Sequence, residues 1–269
     1  MAVARAHRTI GQTVTNRSES PAVTRPALRA QIDPIRLRYY RTTLRRWFDV
    51  QGRDLPWRRT RDPYRIMVSE IMLHQTQVPR VAGVYSEFLD RFPSLQDVAD
   101  ASLDEVKAIT DPLGYKRRGG YIKQIADEVV EYRAGEFPKS VEGLMELPGI
   151  GRYTAGAIMT FAHEEPAPIL DTNVARVLGR WFAGALPPDE GDTQRRHRLW
   201  ALAGALLPQT DNARHNGWTI NQALMDLGAQ HCSARSPSCH ACPLRRRCHH
   251  AQPDRAQRET EIVTFESTR

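Results

Sequence analysis

All four cysteines of the chain fall within a 17-residue stretch near its C-terminus, with the spacing C-x6-C-x2-C-x5-C: Cys232, Cys239, Cys242 and Cys248. Thiols that converge on one short segment indicate a single metal-type centre. Structural zinc sites usually use two close C-x2-C pairs on a long spacer, whereas thiolates wrapped in one run suit an iron-sulfur cluster. We therefore expect a cluster rather than zinc or disulfides. If the site holds zinc instead, the neighbouring histidines are the substitute ligands: His231, His240, His249 and His250.

Two carboxylates stand in apolar surroundings that could change their chemistry. Glu70 lies in the run RIMVSEIMLHQ, and a helix that is apolar on most sides is buried. Burial of an unpaired carboxylate raises its pKa towards neutrality, which would allow Glu70 to deliver a proton. The alternative is that Ser69 and Glu70 face outwards at the rim of the helix. Asp171 precedes an apolar helical run and shortly follows a glycine-rich turn of a kind that can bind the DNA backbone (147–158). It is therefore either an N-cap or a carboxylate held beside a DNA sugar.

A glycine-rich turn, LPGIGRYTAGAI (147–158), joins two apolar helical runs. Gly149 and Gly151 allow positive φ angles and a close approach of the backbone to a ligand. Such a turn can direct several amide N–H groups at one phosphate, assisted by the N-terminus of a helix that begins near Thr154. The pattern is a helix-hairpin-helix that favours contact with the DNA backbone, although a plain helical connection can also require glycine.

The elements that must position these groups are helices, so we expect an all-α fold. Apolar residues recur at helical spacing over residues 35–49 and again over 63–92. Ser102 followed by Glu105 has the form of a capping box, and Ser140 precedes another helical run. No alternating pattern typical of strands is found, and the prolines leave short connections between helices.

The composition favours a polyanionic partner. The formal charge is +7 and arginine supplies most of the 38 basic side chains, which suits phosphates, although a GC-rich genome has the same effect on composition. No run of about 20 uncharged apolar residues would span a membrane. Residues 1–33 are basic and polar without an apolar signal core. We therefore expect a disordered leader, no secretion signal and a cytoplasmic, nucleoid-associated protein.

The hairpin, the aspartate and the four-cysteine segment together resemble the helix-hairpin-helix DNA glycosylases of the endonuclease III superfamily, over residues 37–248. The likeness is greatest to the MutY-type adenine mismatch glycosylases, through RDLPWR (53–58), SEIMLHQTQV (69–78), LGY (113–115) and NQALMDLGA (221–229). The resemblance implies a six-helix barrel domain with the hairpin over residues 58–164. It also implies a [4Fe-4S] cluster domain from residues 34–57 and 165–250, and a flexible tail over 251–269. Double-stranded DNA with a mismatched base would bind to a monomer across the cleft.

The resemblance also implies roles for the two carboxylates. It makes Glu70 the general acid and Asp171 the carboxylate that faces C1′ of an extruded nucleotide, with Tyr153 and Asn173 as active-site supports. Release of a purine requires protonation of the base while positive charge builds on the sugar, so one carboxyl should be protonated and its partner ionised. After the base leaves, ionised Glu70 could activate the water that completes hydrolysis.

Further positions are matched to DNA contacts and to a base pocket. Gln75 is the wedge position, and Tyr115 stacks near the opposite guanine. The remaining DNA contacts lie in the hairpin: Gly149, Ile150, Gly151, Arg152 and Thr154. The base pocket is formed by residues of RDLPWR and NQALMDLGA: Arg53, Leu55, Trp57, Arg58 and Gln222. Bifunctional relatives carry a Schiff-base lysine where this chain has Tyr153, so we expect a monofunctional glycosylase.

The expected substrate is adenine opposite guanine or 8-oxoguanine, but departures from the adenine enzymes keep a second substrate open. Those enzymes usually have a further C-terminal domain that reads 8-oxoguanine, and we expect this domain to be lacking here. They also usually have a glutamine where this chain has His74, and DGN where it has DTN (171–173). Related enzymes that remove thymine or uracil opposite guanine share PWRxTRDPY (56–64) and the hairpin tyrosine. A hypothesis of another class is a non-catalytic protein that binds damaged DNA, although binding alone needs neither Glu70 nor Asp171.

Overall fold

The computed structural model of the protein describes residues 29, 32–182, 191–208 and 213–252. All regular structure in these residues is helical, as predicted, and they contain no strand. Within the same residues no helix is long and apolar enough to cross a membrane. Most of the leader predicted for residues 1–33 and of the tail predicted for 251–269 lies outside the described residues.

The helices follow one another through short connections, several of which contain a 3-10 turn. In chain order the α-helices of the described part are α1 (Pro34–Gln51), α2 (Pro63–Met72), α3 (Val78–Arg91), α4 (Leu95–Asp100), α5 (Leu103–Thr110), α6 (Arg117–Tyr132), α7 (Val141–Met145), α8 (Arg152–Phe161), α9 (Thr172–Trp181), α10 (Asp192–Leu206) and α11 (Ala213–Gln230). The 3-10 turns are Pro56–Arg58, Asp111–Leu113, Cys239–Ala241 and Arg245–Arg247.

Side-chain caps set many of the helix starts. Ser102 and Glu105 form the predicted capping box of α5, and the Ser140 hydroxyl accepts the N–H of Gly143 at the start of α7. Asp62 caps α2, in which a proline occupies the first position and gives up an N–H that would be unpaired in any case. These starts agree with the sequence patterns because capping depends on residues within one turn of each other.

The helical pattern over residues 63–92 is not one helix. α2 ends at Met72, a turn follows, and α3 starts at Val78. Pro79 cannot donate the backbone N–H that a continuing helix would need, and it is well placed near the start of a new helix. The turn includes Gln75 with a φ of +54°, which is rare for a residue other than glycine.

The buried apolar side chains form two clusters. The first extends from Leu55 to Ile169 and is built mainly by α2 to α8. The second joins α1 to α9, α10 and α11, and includes Leu244 beside the cysteine segment. The chain passes from the first cluster to the second between Ile169 and Leu170, directly before Asp171.

Helix packing brings the predicted site together at this crossing point. α2 carries Glu70 and packs on α8, which carries Tyr153, while α9 packs on α11. α11 also packs on α1 and α8. At Gly228 an added Cβ would lie 2.6 Å from the Cβ of Asn173, so the close approach of α11 to α9 requires glycine there.

Candidate active site

The candidate active site is a cavity of about 630 Å³ between the two clusters. Its walls come from the segment before α2, from α2 and the turn that follows it, from α8, from the start of α9 and from α10 and α11. The cavity brings together ten of the residues predicted from the sequence: Glu70, Asp171, Tyr153, Asn173, Gln75, Arg53, Leu55, Trp57, Arg58 and Gln222.

Glu70 is buried on α2, with 4% of its surface exposed, and Ser69 is fully buried. The alternative in which both side chains face outwards is therefore wrong, because the part of α2 that carries them, from Ile66 to Met72, is buried. Burial, opposed by a hydrogen bond from Tyr153, raises the pKa of Glu70 to about 7. The negative charge of Asp171 raises this pKa further, and the cation of Arg58 lowers it.

Asp171 is the N-cap of α9, and its carboxylate also lines the cavity. One oxygen accepts the N–H of Val174 at 2.6 Å, and the other accepts a hydrogen bond from the side-chain amide of Asn173 at 3.0 Å. Donated hydrogen bonds and the N-terminus of a helix both stabilise negative charge. The capping interpretation of Asp171 is thus confirmed, and it leaves the carboxylate available to the cavity.

Tyr153 lies on the first turn of α8 and lines the cavity together with the two carboxylates. Its hydroxyl hydrogen-bonds to Glu70 and also contacts the sulfur of Met225 at 3.4 Å. Burial and the nearby charges of Glu70 and Asp171 hold the pKa of Tyr153 well above its usual value. Tyr153 is therefore a neutral phenol that can donate a hydrogen bond to the Glu70 carboxyl.

One wall of the cavity is held by a charged cluster that the sequence analysis did not identify. Asp226 on α11 is completely buried and pairs with Arg58 at 2.8 Å and with Arg53 at 2.6 Å. Next to it, Gln222 is 3% exposed and its side-chain oxygen has no hydrogen-bond partner among the described residues. Buried polar atoms are normally paired, so this oxygen marks a position at which a bound group can donate a hydrogen bond.

The turn between α2 and α3 exposes Gln75 at the rim of the cavity. The turn is anchored by Arg118, a fully buried side chain that donates to the carbonyl of His74 and to the hydroxyl of Thr76, each at 2.7 Å. Tyr115 does not line the cavity; its ring lies 5.8 Å from the Arg118 guanidinium carbon. Arg118 therefore links the two segments to which the resemblance assigns a wedge and a stacking residue.

The glycine turn of the hairpin, residues 149–152, does not line the cavity, whereas Tyr153 directly after it does. Gly149 has a φ of +74°, and an added Cβ would lie 2.5 Å from the ring of Tyr121. Around Gly151 an added Cβ would meet nothing within 4 Å. α8 starts at Arg152 with Gly151 as N-cap, two residues earlier than the predicted start near Thr154.

The other predicted hairpin residues differ in their accessibility. Ile150 is 5% exposed and belongs to the first cluster, so only its backbone can reach DNA. Thr154 is 2% exposed, and its hydroxyl faces a ring nitrogen of His74 at 3.4 Å. Arg152 is exposed, with its guanidinium carbon 4.2 Å from the centre of the Trp200 ring on α10.

The four cysteines follow α11, in the segment that contains the 3-10 turns Cys239–Ala241 and Arg245–Arg247. Each cysteine is partly buried. Burial, together with the nearby thiols of Cys248, Cys232 and Cys239, raises the pKa of Cys242 to about 11. Hydrogen bonds from the backbone reach the sulfurs of Cys242 and Cys248, and Arg180 donates to Cys232 at 3.3 Å. Among the described residues no group of three or more His, Cys, Asp or Glu is arranged to hold a metal ion.

The sequence analysis assigned no site role to several polar or sulfur-bearing residues of the site. Among them, His74, Met225 and Arg196 line the cavity, whereas Asp226 and Arg118 support it from behind. Asp226 could have been found, because a single acidic residue inside the apolar run ALMDLGA must have a cationic partner if it is buried. Arg196 stands in an arginine-rich helix and carries no distinguishing signal.

The fold and this geometry agree with a known protein family. Residues 68–202 match the HhH-GPD superfamily of base excision DNA repair proteins. The chain belongs to this superfamily. The match includes Glu70, the hairpin and Asp171, and ends within α10.

Several relatives are similar over most of the chain. The adenine DNA glycosylase of Mus musculus is 41% identical over 218 residues, which are 78% of this chain and 41% of that protein. The human adenine DNA glycosylase is 42% identical, with 39% of its length covered. The chain thus spans about two fifths of the length of these two relatives. The thymine/uracil-DNA glycosylase of Pyrobaculum aerophilum is 35% identical over 207 residues, with 76% of this chain and 88% of that protein covered.

Solved structures share the fold. A thermostable thymine-DNA glycosylase superposes with a TM-score of 0.71 at 29% identity, over 81% of this chain and 98% of that one. A non-covalent complex of endonuclease III with DNA gives a TM-score of 0.67 at 22% identity, over 84% of this chain and 99% of that one. The second likeness supports the fold alone.

Proposed function

We propose that this protein is a monofunctional DNA glycosylase of base excision repair that hydrolyses the N-glycosidic bond of adenine mispaired with guanine or 8-oxoguanine. The observation that carries the proposal is the pair of Glu70 and Asp171 on opposite helices of one cavity, with different hydrogen-bonding environments. The named adenine DNA glycosylases among the relatives support the same reaction.

The two carboxyl groups suit the two charges that develop in the reaction. Glu70 keeps its proton up to a pH of about 7 and can transfer it to a ring nitrogen of the base as the glycosidic bond breaks. Asp171, stabilised as an anion by Asn173 and by the start of α9, can balance the positive charge on the sugar. Glu70 is then a carboxylate and can take a proton from the attacking water.

The cavity wall supports adenine as the base. The unpaired oxygen of Gln222 can accept a hydrogen bond from the exocyclic amino group of adenine. The acid at Glu70 also suits adenine, whose ring nitrogens are basic, better than thymine or uracil, whose exposed acceptors are carbonyl oxygens. Leu55 and Trp57 supply apolar surface to the same wall.

The second candidate is a glycosylase that removes thymine or uracil opposite guanine. The Pyrobaculum aerophilum relative favours it, because the chain covers 88% of that protein and contains PWRxTRDPY, the motif shared with such enzymes. The ring N–H of thymine or uracil could also donate to the oxygen of Gln222. A non-catalytic DNA-binding protein is a poorer candidate, since a buried Glu70 with a raised pKa lowers stability at neutral pH and contributes nothing to binding alone.

DNA would bind over the hairpin and the cavity mouth. The open space at Gly151 and the N-terminus of α8 allow backbone N–H groups to reach a phosphate. Arg152 adds an exposed cation beside them. Gln75 and Tyr115 would fill or distort the gap left by the extruded nucleotide.

The four cysteines would hold a [4Fe-4S] cluster. Backbone N–H groups donate to the sulfurs of Cys242 and Cys248, and Arg180 donates to the sulfur of Cys232, which suits cluster thiolates. A bound cluster would tie this segment to α9 and α11 as a structural link. Purified protein should be brown with iron and acid-labile sulfide in equal amounts; a colourless protein with stoichiometric zinc would contradict the assignment.

The absence of a lysine at position 153 supports the monofunctional reaction, in which no Schiff base forms with the sugar. We also propose that the protein acts as a monomer in the cytoplasm in association with the nucleoid. Sedimentation of the purified protein with and without a mismatched duplex tests the oligomeric state.

Single-turnover assays on labelled duplexes test the function and separate the candidates. The duplexes carry A:G, A:8-oxoguanine, T:G or U:G, and each reaction is divided and treated with or without alkali. Product from the A:G or A:8-oxoguanine duplex that appears only after alkali supports the proposal. Release of thymine or uracil without adenine favours the second candidate, and strand cleavage without alkali contradicts the monofunctional reaction.

A further inference from the structure

Asp226 is a buried charge to which the proposed reaction assigns no role. Its side chain on α11 has no exposed surface. The carboxylate accepts four hydrogen bonds: from the backbone N–H and Nε of Arg53 at 2.9 and 2.8 Å, and from Nη1 and Nη2 of Arg58 at 2.9 and 2.8 Å. One anion thus fixes two cations from the segment that forms the wall of the cavity.

Arg58 transmits this arrangement to the reacting groups. Its side chain is 6% exposed and lines the cavity, and Nη1 also donates to the carbonyl of Arg53 at 2.7 Å. Its charge acts on both Glu70 and Tyr153. The two-pronged contact with Asp226 leaves the guanidinium few other orientations.

We infer that Asp226 is a positioning residue for the glycosylase reaction: it fixes Arg58 at the wall of the base cavity that Glu70 also lines, and it balances the charge of Arg58. The inference rests on the proposed function, in which Glu70 is the acid. A purely structural salt bridge would stabilise the fold without any effect on the protonation of Glu70.

The direction of the effect follows from the charges that face Glu70 from each packed element. They are Arg58 with Arg53 and Asp226 behind it, Tyr153 on α8, Asp171 before α9, His74 after α2 and Arg196 at the mouth. Arg58 is the cation that acts on Glu70 among these groups. Loss of the negative charge at Asp226 leaves Arg58 uncompensated, and an uncompensated cation favours the ionised form of Glu70.

The direct test is titration of Glu70 in the complete protein by NMR, with 13C-labelled glutamate side chains. The Glu70→Gln variant identifies the signal. In Asp226→Asn, which keeps the size of the side chain and removes its charge, we expect the midpoint of the Glu70 titration to fall by about one pH unit. An unchanged midpoint in a folded variant would overturn the inference.

Two further variants keep the test decisive. The double variant Asp226→Asn with Arg58→Met removes the cation as well, so the midpoint should return to the wild-type value or above it. If the Asp226→Asn protein does not fold, Arg53→Gln serves instead, because the Arg53 side chain is 31% exposed. Without Arg53, the negative charge of Asp226 interacts with Arg58 alone. The midpoint should then rise above the wild-type value, and no movement would contradict the inference.

The rate of base release provides the functional measurement. In Asp226→Asn the fall in single-turnover rate with rising pH should begin about one unit lower than in the wild type, with the rate recovering at acid pH. A rate reduced equally at every pH would indicate a structural role only. The NMR result stands by itself, so a wild-type protein that released no base would refute the proposed function without deciding the role of Asp226.

Discussion

The side-chain amide of Asn173 donates a 3.0 Å hydrogen bond to the carboxylate of Asp171. The guanidinium of Arg176 donates to the oxygen of the same amide, with 2.6 Å between Nη2 and the Asn173 oxygen. It also donates to the backbone carbonyls of Cys232 and Gly228. The carboxylate at the cavity is thereby connected, through three residues of one helix start, to the beginning of the cysteine segment.

Asp171→Asn separates the two functions of this carboxylate. Asparagine caps helices nearly as well as aspartate, so the melting temperature should change little, whereas the loss of negative charge beside the sugar should lower the single-turnover rate by about 100-fold or more. DNA binding should persist. Thermal unfolding, gel-shift titration and base release on the same preparations provide the three measurements.

The matched control for this prediction is Asp171→Ala, which removes cap and charge together. It should lose the same activity and also about 1 kcal/mol of stability. An Asp171→Asn enzyme with an unchanged rate would remove Asp171 from the reaction.

Glu70→Gln should stabilise the protein at alkaline pH while abolishing base release. The pKa of Glu70 is raised from 4.5 to about 7 in the folded state, so between these pH values the folded protein holds a proton that the unfolded chain has lost. Stability from this proton is complete below pH 4.5 and is lost as the pH rises to 7, an effect of roughly 3 kcal/mol. Urea unfolding at pH 4.5 and pH 8 should therefore show a gain for Glu70→Gln over the wild type only at pH 8.

Glu87 on α3 offers the control for the pH measurement, because its side chain is exposed. Glu87→Gln should differ from the wild type by the same small amount at both pH values. A Glu70→Gln protein without a pH-dependent gain would show that Glu70 is ionised without cost in the folded state.

The two hairpin glycines should respond differently to alanine. Gly149→Ala places a side chain at a φ of +74° and against the Tyr121 ring, so it should lower stability by about 1–3 kcal/mol. Gly151→Ala meets open space but replaces the N-cap glycine of α8, so it should cost less than about 1 kcal/mol of stability. A methyl group beside this helix N-terminus should also obstruct a phosphate and weaken DNA binding. Thermal unfolding and gel-shift titration of both variants give the comparison; equal DNA affinity for Gly151→Ala and the wild type would argue against hairpin contact.

Arg180→Ala should reduce retention of iron. The guanidinium donates to the sulfur of Cys232 at 3.3 Å and to the carbonyls of Ser233 and Ala234 at 2.7 and 2.8 Å. Loss of these contacts frees the segment and removes a cation that favours thiolate. Iron content after dialysis against a chelator should be lower than in Arg245→Ala, whose side chain is exposed in the same segment; equal retention would contradict this role.

Much of the fold could be predicted from the sequence because its signals are local. The capping box at Ser102, the caps at Ser140 and Asp171, and the absence of strands in the described part depend on residues a few positions apart. The same holds for the glycine turn of the hairpin. The apolar periodicity over residues 63–92 does not reveal where α2 ends, since it continues through the turn that contains Gln75 and precedes Pro79.

The site could be predicted only in part. The apolar settings and the motif resemblance single out Glu70 and Asp171, but they do not decide whether Glu70 faces outwards, because one helix does not reveal what packs against it. Only the packing of α2 on α8 and of α9 on α11 buries Glu70 and raises its pKa beside Asp171. Asp226 acquires its importance in the same way, from two arginines more than 160 positions away in the chain. The sequence by itself thus determines the residue types and their short spacings. Burial and charge pairing between distant segments are decided by the tertiary structure, because desolvation depends on everything that surrounds a group in space.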